Sequence, residues 1–274
     1  MQYLEFWRLA LFVGLLSLFM ILEWAWPRHA RRFPRRQRWP SNLGLIVLNS
    51  LTIKLIFPLG TLALGSLAEQ QHWGVLNQLA LPSWLSIAIC LLLFDLAIYW
   101  QHRLFHAIPL LWRVHRVHHV DPDYDVSLGL RFHPIEIALS MAIKLALIVI
   151  LGPPLLAIFL FEVILNGMAM FNHSNLNLPQ RWDARLRHAL VTPDMHRVHH
   201  SQLYHEHNSN YGFNLSCWDR LFRSYRAQPE LGHQGINFGL ANWPLAKDNR
   251  QLPGLLSLPF RSPSQVNKSS TNKA

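Results

Sequence analysis

Ten of the chain's 16 histidines fall in two short windows, 102–119 and 196–207. The first window holds His102-x3-His106 and then His115-x2-His118-His119. The second repeats the latter pattern as His196-x2-His199-His200, about eighty residues on. On a helix, positions i, i+3 and i+4 face the same way, so each His-x-x-His-His is expected to present three nitrogen donors to one point. A divalent ion needs that convergence, because imidazole ligands sit at about 2.0–2.1 Å and scattered surface histidines cannot reach one ion together. Eight imidazoles exceed the needs of one ion. The expectation is two metals sharing them, with further donors from elsewhere in the chain.

Ligand type alone does not name the metal, since imidazole suits Zn, Cu, Fe and Ni. Neighbouring residues narrow it. Arg103, Arg116 and Arg197 follow the first histidine of each motif, so the His-Glu-x-x-His glutamate of a zinc protease is missing. Soluble di-iron bundles use two Glu-x-x-His pairs, and Glu69-Gln-Gln-His72 is a single copy read as coincidence. Haem takes at most two axial ligands and would leave most of the set unexplained. Asp121-Pro-Asp123-Tyr-Asp125 starts like a calcium loop, but Val126 replaces its glycine and Phe132 its last glutamate, so calcium is not expected.

The elements that must position these side chains are apolar. With 51% hydrophobic and 15% charged residues in 274, the chain is neither disordered nor an ordinary soluble protein. Its net charge of +10 would suggest nucleic acid if spread over a polar surface, but six arginines are packed between Arg28 and Arg38, directly after an apolar run. No nucleic-acid partner is expected. Cys90 and Cys217 cannot form a disulfide framework or a Cys-x-x-Cys site.

Trp7–Trp26 reads as a first membrane span, kept as an anchor because its start lacks a basic region and a small-residue cleavage site. Asn42–Ala68 and Ser83–Trp100 are the next spans. Ile137–Met170, broken by Gly152-Pro153-Pro154, reads as a helical hairpin. The positive-inside rule retains the Arg28–Arg38 cluster in the cytoplasm and puts the Lys/Arg-free loop Glu69–Pro82 outside, which brings every dense histidine window to the cytoplasmic side. The expected fold is therefore all-α: a multispanning transmembrane helical bundle with a cytoplasmic, histidine-rich helical cap. Residues 1–261 are expected to form one membrane-embedded unit, and the Ser/Asn/Lys-rich stretch 262–274 a disordered tail.

His102-x3-His106, His115-x2-His118-His119 and His196-x2-His199-His200 resemble the histidine boxes of the fatty acid hydroxylase/sterol desaturase superfamily. The flanking residues agree: Asp95-x3-Tyr99-x2-His102-Arg103, Leu130-Arg131-Phe132-His133-Pro134-Ile135-Glu136, Asn172-His173-Ser174-Asn175, and Asn210-Tyr211-Gly212-Phe213-Asn214-Leu215-x2-Trp218-Asp219-Arg220-Leu221-Phe222. The likeness covers residues 90–225. It implies a membrane enzyme with a histidine-ligated di-iron centre that uses O2 to oxidise an unactivated C–H bond of a lipid, giving an alcohol or an alkene. It also implies a ninth metal ligand, His173, with Asn177 orienting it. No Gly-x-Gly-x-x-Gly dinucleotide fingerprint is present, so electrons are expected from a separate reductase, ferredoxin or cytochrome.

His133 is expected to shape the pocket or to stand behind the metal ligands, His205 and His207 to be solvated, and Trp218-Asp219 to lock the C-terminal segment. Asp95 is the acid expected to serve catalysis, because a carboxylate inside a span is costly and by default functional or paired. Its expected partner is an imidazole N–H or Arg103. Two other classes compete: a metal transporter or sensor, and a zinc-dependent membrane hydrolase. A transporter should hold its donors near the bilayer midplane, whereas these boxes follow span ends.

Overall fold

In the computed structural model, which describes residues 2–243 and 247–262, the chain is helical, with no strand among the described residues beyond isolated bridges. The expected tail 262–274 lies outside the described residues apart from Ser262. Helices α1 (Gln2–Ala25), α2 (Arg35–Ile56), α3 (Gly60–Gln70), α4 (Ser83–Ala107), α6 (Pro134–Leu151) and α7 (Leu155–Asn172) form the bundle. Five segments are long and apolar enough to cross a membrane: Tyr3–Ala25, Arg35–Gln78, Ser83–Ala107, Pro134–Leu151 and Leu155–Asn172. Their outer faces carry exposed large apolar side chains such as Leu9, Val47, Leu55 and Ile150, which lipid tolerates and water would not. The chain is an integral membrane protein.

The second span differs from its expected form. Helix α2 starts at Arg35, inside the arginine cluster, and the apolar run breaks around Pro58, after which α3 resumes at Gly60 with φ +67°. Pro58 has no N–H to give the helix ladder, and its ring clashes with the preceding turn. Both pieces pack on α6. The α6–α7 hairpin forms as expected. Gly152 ends α6 in the left-handed region at φ +63°, and a Cβ there would lie 2.2 Å from the Trp73 carbonyl, so only glycine fits.

Helices α3, α4, α6 and α7 close a core of Leu62, Phe94, Ile98, Ile148, Ile158 and Phe161. The rings of Phe94 and Phe161 are tilted, 5.0 Å apart. At 25 residues α4 is about 37 Å long, longer than the roughly 30 Å of a hydrocarbon layer, and His102 and His106 lie in its last two turns.

A cap of short helices covers that end: α5 (Pro109–His119), α8 (Gln180–Leu186), α9 (Pro193–His199), α10 (Tyr204–His207) and α11 (Cys217–Leu221), with a 3-10 turn at Val126–Leu130. Buried ion pairs tie cap to bundle. Arg38, fully buried on α2, donates from Nε and Nη2 to the Asp121 carboxylate at 2.7 and 2.8 Å and from Nη1 to Asp125 at 2.6 Å. Arg131 donates to Asp121 as well, at 2.8 Å. Burial alone would raise the Asp121 carboxyl, but the two guanidinium groups hold it below its usual range. Asp123 accepts the Arg32 and Phe33 amides, and Glu23 on α1 accepts those of Val126 and Asn175. Arg28, Arg35 and Arg38 of the cluster are thus ion-paired inside the protein, while Arg31, Arg32 and Arg36 remain exposed.

Candidate metal centre

Helix α5 begins with Pro109 at its first turn and carries His115, His118 and His119. Helix α9 begins Thr192-Pro193-Asp194, the Thr192 hydroxyl accepting from the Met195 amide, and carries His196 and His199 with His200 just beyond its end. His173 follows α7. All nine expected ligands converge, in two groups: His102, His106, His115, His119 and His199, and beside them His118, His173, His196 and His200. Within each group the ligand nitrogens lie within 4.8 Å of one another. The groups abut where His119 and His200 stack, ring centroids 4.4 Å apart.

Each His-x-x-His-His was expected to aim at one point, and the structure corrects this. The motif on α5 sends His115 and His119 to the first group and His118 to the second, whereas that on α9 sends His196 and His200 to the second and His199 to the first. At about 100° per residue, i+3 and i+4 flank position i on opposite sides, so one helix can serve two adjacent points. The two motifs are used in mirrored fashion.

Acceptors that cannot donate set the ring tautomers. Nδ1–H of His102 donates to the Tyr211 carbonyl at 2.8 Å, that of His199 to Ser209 at 2.8 Å, and that of His173 to Ala169 at 2.7 Å. Nδ1–H of His115 donates to Glu136 Oε1 at 2.7 Å. In all four the Nε2 lone pair is left for the interior. His173 Nε2 lies 3.0 Å from Nε2 of both His118 and His196. Nitrogens that share a first-row divalent ion at about 2.1 Å and right angles stand about 3 Å apart.

Nine ring nitrogens of this set are buried with no hydrogen-bond partner, among them Nε2 of His102, His115, His119, His199 and His200. Each would cost about 1–3 kcal/mol if its lone pair or N–H stayed unsatisfied. Burial first, and neighbouring imidazoles second, push His118, His119, His196 and His200 well below the usual imidazole range; burial does the same for His199, and lowers His173 to about 3. These six rings are neutral donors, the form a metal needs. The donor set is consistent with iron, and its five-nitrogen group exceeds the four ligands of an ordinary structural zinc site.

Asp95 meets neither partner expected of it. Its carboxylate accepts from Trp218 Nε1 at 2.8 Å and from the Leu215 and Asn214 amides at 3.1 and 3.3 Å. Asp219 in turn accepts the Tyr211 and Gly212 amides at 2.8 Å each, and burial pushes its carboxyl up to about 6. These acids fix the 210–219 segment, whose Tyr211 carbonyl orients His102. Asp95 therefore acts on the centre at one remove. Asp95→Asn is expected to loosen this segment by about 2 kcal/mol. A lower thermal midpoint with metal content retained would bear this out; metal loss at an unchanged midpoint would restore the direct role.

Asn177 is also corrected. Its side chain accepts from Arg28 Nη1 at 3.3 Å, and His173 is oriented by Ala169 instead. A Cβ at Gly129 would lie 2.4 Å from that same Ala169 carbonyl, so the 126–130 turn can pass beside it only with glycine. His133 caps α6, its Nδ1 accepting the Ile135 amide at 3.2 Å. His205 is exposed and pairs with Glu230, whereas His207 is half-buried and stacks on Trp112 at 5.5 Å rather than being solvated. Sequence reasoning missed Glu136 as a partner of His115. It stands in the quoted Arg131–Glu136 run, but an acid in the first turn of a helix reads as a dipole partner.

A cavity of about 640 Å³ opens beside the histidines. It is lined at this end by His102 and His115 of one group and His118 and His196 of the other, with Phe105, Leu130, Phe132 and Phe213 around them.

Residues 87–224, half of the chain, match the model of the family described as fatty acid hydroxylase. The chain belongs to this family. It is 30% identical over 149 residues to an ornithine lipid hydroxylase of Rhizobium tropici, covering 54% of this chain and 44% of that protein. It is 30% identical over 142 residues to human alkylglycerol monooxygenase (52% and 31%) and 31% identical over 151 residues to mouse cholesterol 25-hydroxylase (52% and 47%). The chain thus spans less than half the length of these relatives. No solved structure matches it.

Proposed function

We propose that this protein is a di-iron lipid hydroxylase of the membrane, with one iron held by His102, His106, His115, His119 and His199 and the other by His118, His173, His196 and His200. One observation carries the reading: two adjacent groups of largely buried imidazoles, nine of whose ring nitrogens have no hydrogen-bond partner, border one cavity reaching into the apolar bundle. The similar proteins are named for hydroxylating lipids. Bound iron would supply O2 activation, with electrons from a separate reductase, ferredoxin or cytochrome and a hydroxylated chain as product.

The chain's own residues do the rest. Glu136 and the Tyr211, Ser209 and Ala169 carbonyls hold four rings in the tautomer that offers Nε2 inward. Phe105, Leu130, Phe132 and Phe213 exclude water and steer an alkyl segment against His102, His115, His118 and His196. The substrate reaches this end from the bilayer without crossing water.

The test is anaerobic purification with metal analysis, followed by supply of a chemical reductant, labelled O2 and total membrane lipid. Two irons per chain and label in a lipid hydroxyl are expected. Zinc with O2-independent lipid hydrolysis, or metal uptake into proteoliposomes without oxidation, would overturn the proposal. We assign the histidines to the cytoplasmic side on the exposed Arg31, Arg32 and Arg36. Cys217, exposed in the cap, reports on this directly. A membrane-impermeant thiol reagent should label it in inside-out vesicles, and labelling only in right-side-out vesicles would reverse the topology.

A further inference from the structure

The cavity has a second, charged end. Beyond its apolar middle it is lined by Glu5 and Arg8 of α1, Lys54 of α2, Lys144 of α6 and Glu162 of α7. Ionisable groups inside membrane-spanning helices are costly and mark function or pairing. Pairing accounts for part of the set. Glu162, 6% exposed, accepts from Arg8 Nη1 at 2.6 Å and from the Thr61 hydroxyl at 2.8 Å, and Arg8 also pairs with Glu5. These bonds pin α1 and α3 to α7. Lys144 joins the set at longer range, its Nζ 3.9 Å from Glu162 Oε1, while Lys54 forms no ion pair among the described residues. Three cations thus share two carboxylates, so the cavity end retains positive charge.

We infer that this end is the head-group site of the substrate: Lys54 and Lys144 take the anionic group, carboxylate or phosphate, of an amphiphile whose chain runs to the histidines. The inference rests on the hydroxylase reading for its consequence, not for its binding. Lys144 follows Glu136 by eight residues on α6, about 12 Å along the axis. An extended chain advances about 1.2 Å per bond, so the atom brought to the histidines lies roughly ten bonds from the head. The anchored head makes the helix a ruler counted from the polar end.

Binding is tested without turnover. The purified full chain in nanodiscs is titrated with hexadecanoate, hexadecyl phosphate and hexadecanol, and bound lipid is read by native mass spectrometry. At least one anion should bind about 10-fold more tightly than the alcohol: Lys54 is exposed, but the Lys144 side chain is only 18% exposed, and an ion pair made there is partly desolvated. The stronger of the two identifies the head. Lys54→Met and Lys144→Met leave the Arg8–Glu162 pair intact and should each remove most of the preference. If Lys144→Met does not fold, Lys54→Met alone decides, because its side chain holds no ion pair. Equal binding of alcohol and anions, or a preference unchanged in the variants, overturns the site. With the preferred head on tetradecyl, hexadecyl and octadecyl chains, oxidation should stay at a constant position from the head. A position constant from the methyl end overturns the ruler. An inactive protein that still prefers anions would remove the hydroxylase reading alone.

Discussion

His118→Ala and His199→Ala are each expected to lower lipid oxidation more than about 100-fold while the chain still inserts and purifies as a single species. The magnitude follows from the roles. Partners behind a ligand are worth about 10–100-fold, and a ligand itself is worth more. The two histidines belong to different groups, so on the proposed two-iron reading each variant should retain about one iron fewer than the parent. Folding is expected to tolerate the change, because His118 Nδ1 and His199 Nε2 have no hydrogen-bond partner, and the loss at His199 is limited to its bond to the Ser209 carbonyl. His205→Ala is the control, since its ring is exposed and pairs with Glu230. Metal analysis and product quantification on the same preparations decide the matter. Full turnover by either variant would remove the two-metal reading, and equal loss in His205→Ala would show that the assay reports folding.

Glu136→Gln should cost about 10–100-fold in turnover, with iron lost faster to a chelator. The Glu136 carboxylate can only accept, so it fixes His115 with hydrogen on Nδ1 and the lone pair on Nε2. An amide keeps the shape but can present N–H instead, and then favours the opposite tautomer. Glu136 also lines the cavity, so a purely steric role has to be separated. Glu136→Asp, which keeps the acceptor and withdraws it, should retain more activity than Glu136→Gln. Unchanged chelator-release kinetics in Glu136→Gln would show that His115 needs no carboxylate behind it.

The contrast between Asp95 and Glu136 explains where sequence reasoning stops. Both are acids near a membrane edge and both lie near histidines in the chain. Asp95 shares a helical face with His102, which made an imidazole its natural partner. In the fold it meets Trp218 and the Leu215 amide instead, more than a hundred residues away in the chain. Asn177 is the same lesson on a smaller scale, because one turn from His173 it points to Arg28. Helical spacing says which residues share a face. It does not say what the face meets.

The histidine set and the helical, multispanning class were legible because each obeys a local constraint. A metal imposes ligand types and i, i+3, i+4 spacing, a bilayer imposes length and apolarity, and Gly152-Pro153-Pro154 enforces a turn through backbone sterics alone. Tertiary structure decided how the histidines divide between two groups, which carbonyls and which carboxylate orient them, and that half the arginine cluster is paired inside the fold. These properties depend on contacts such as His102 with Tyr211, 109 residues apart, and Arg38 with Asp121, 83 apart. Hydrogen bonds and ion pairs act over about 3 Å of space, whatever the distance along the chain, and only packing brings such partners together.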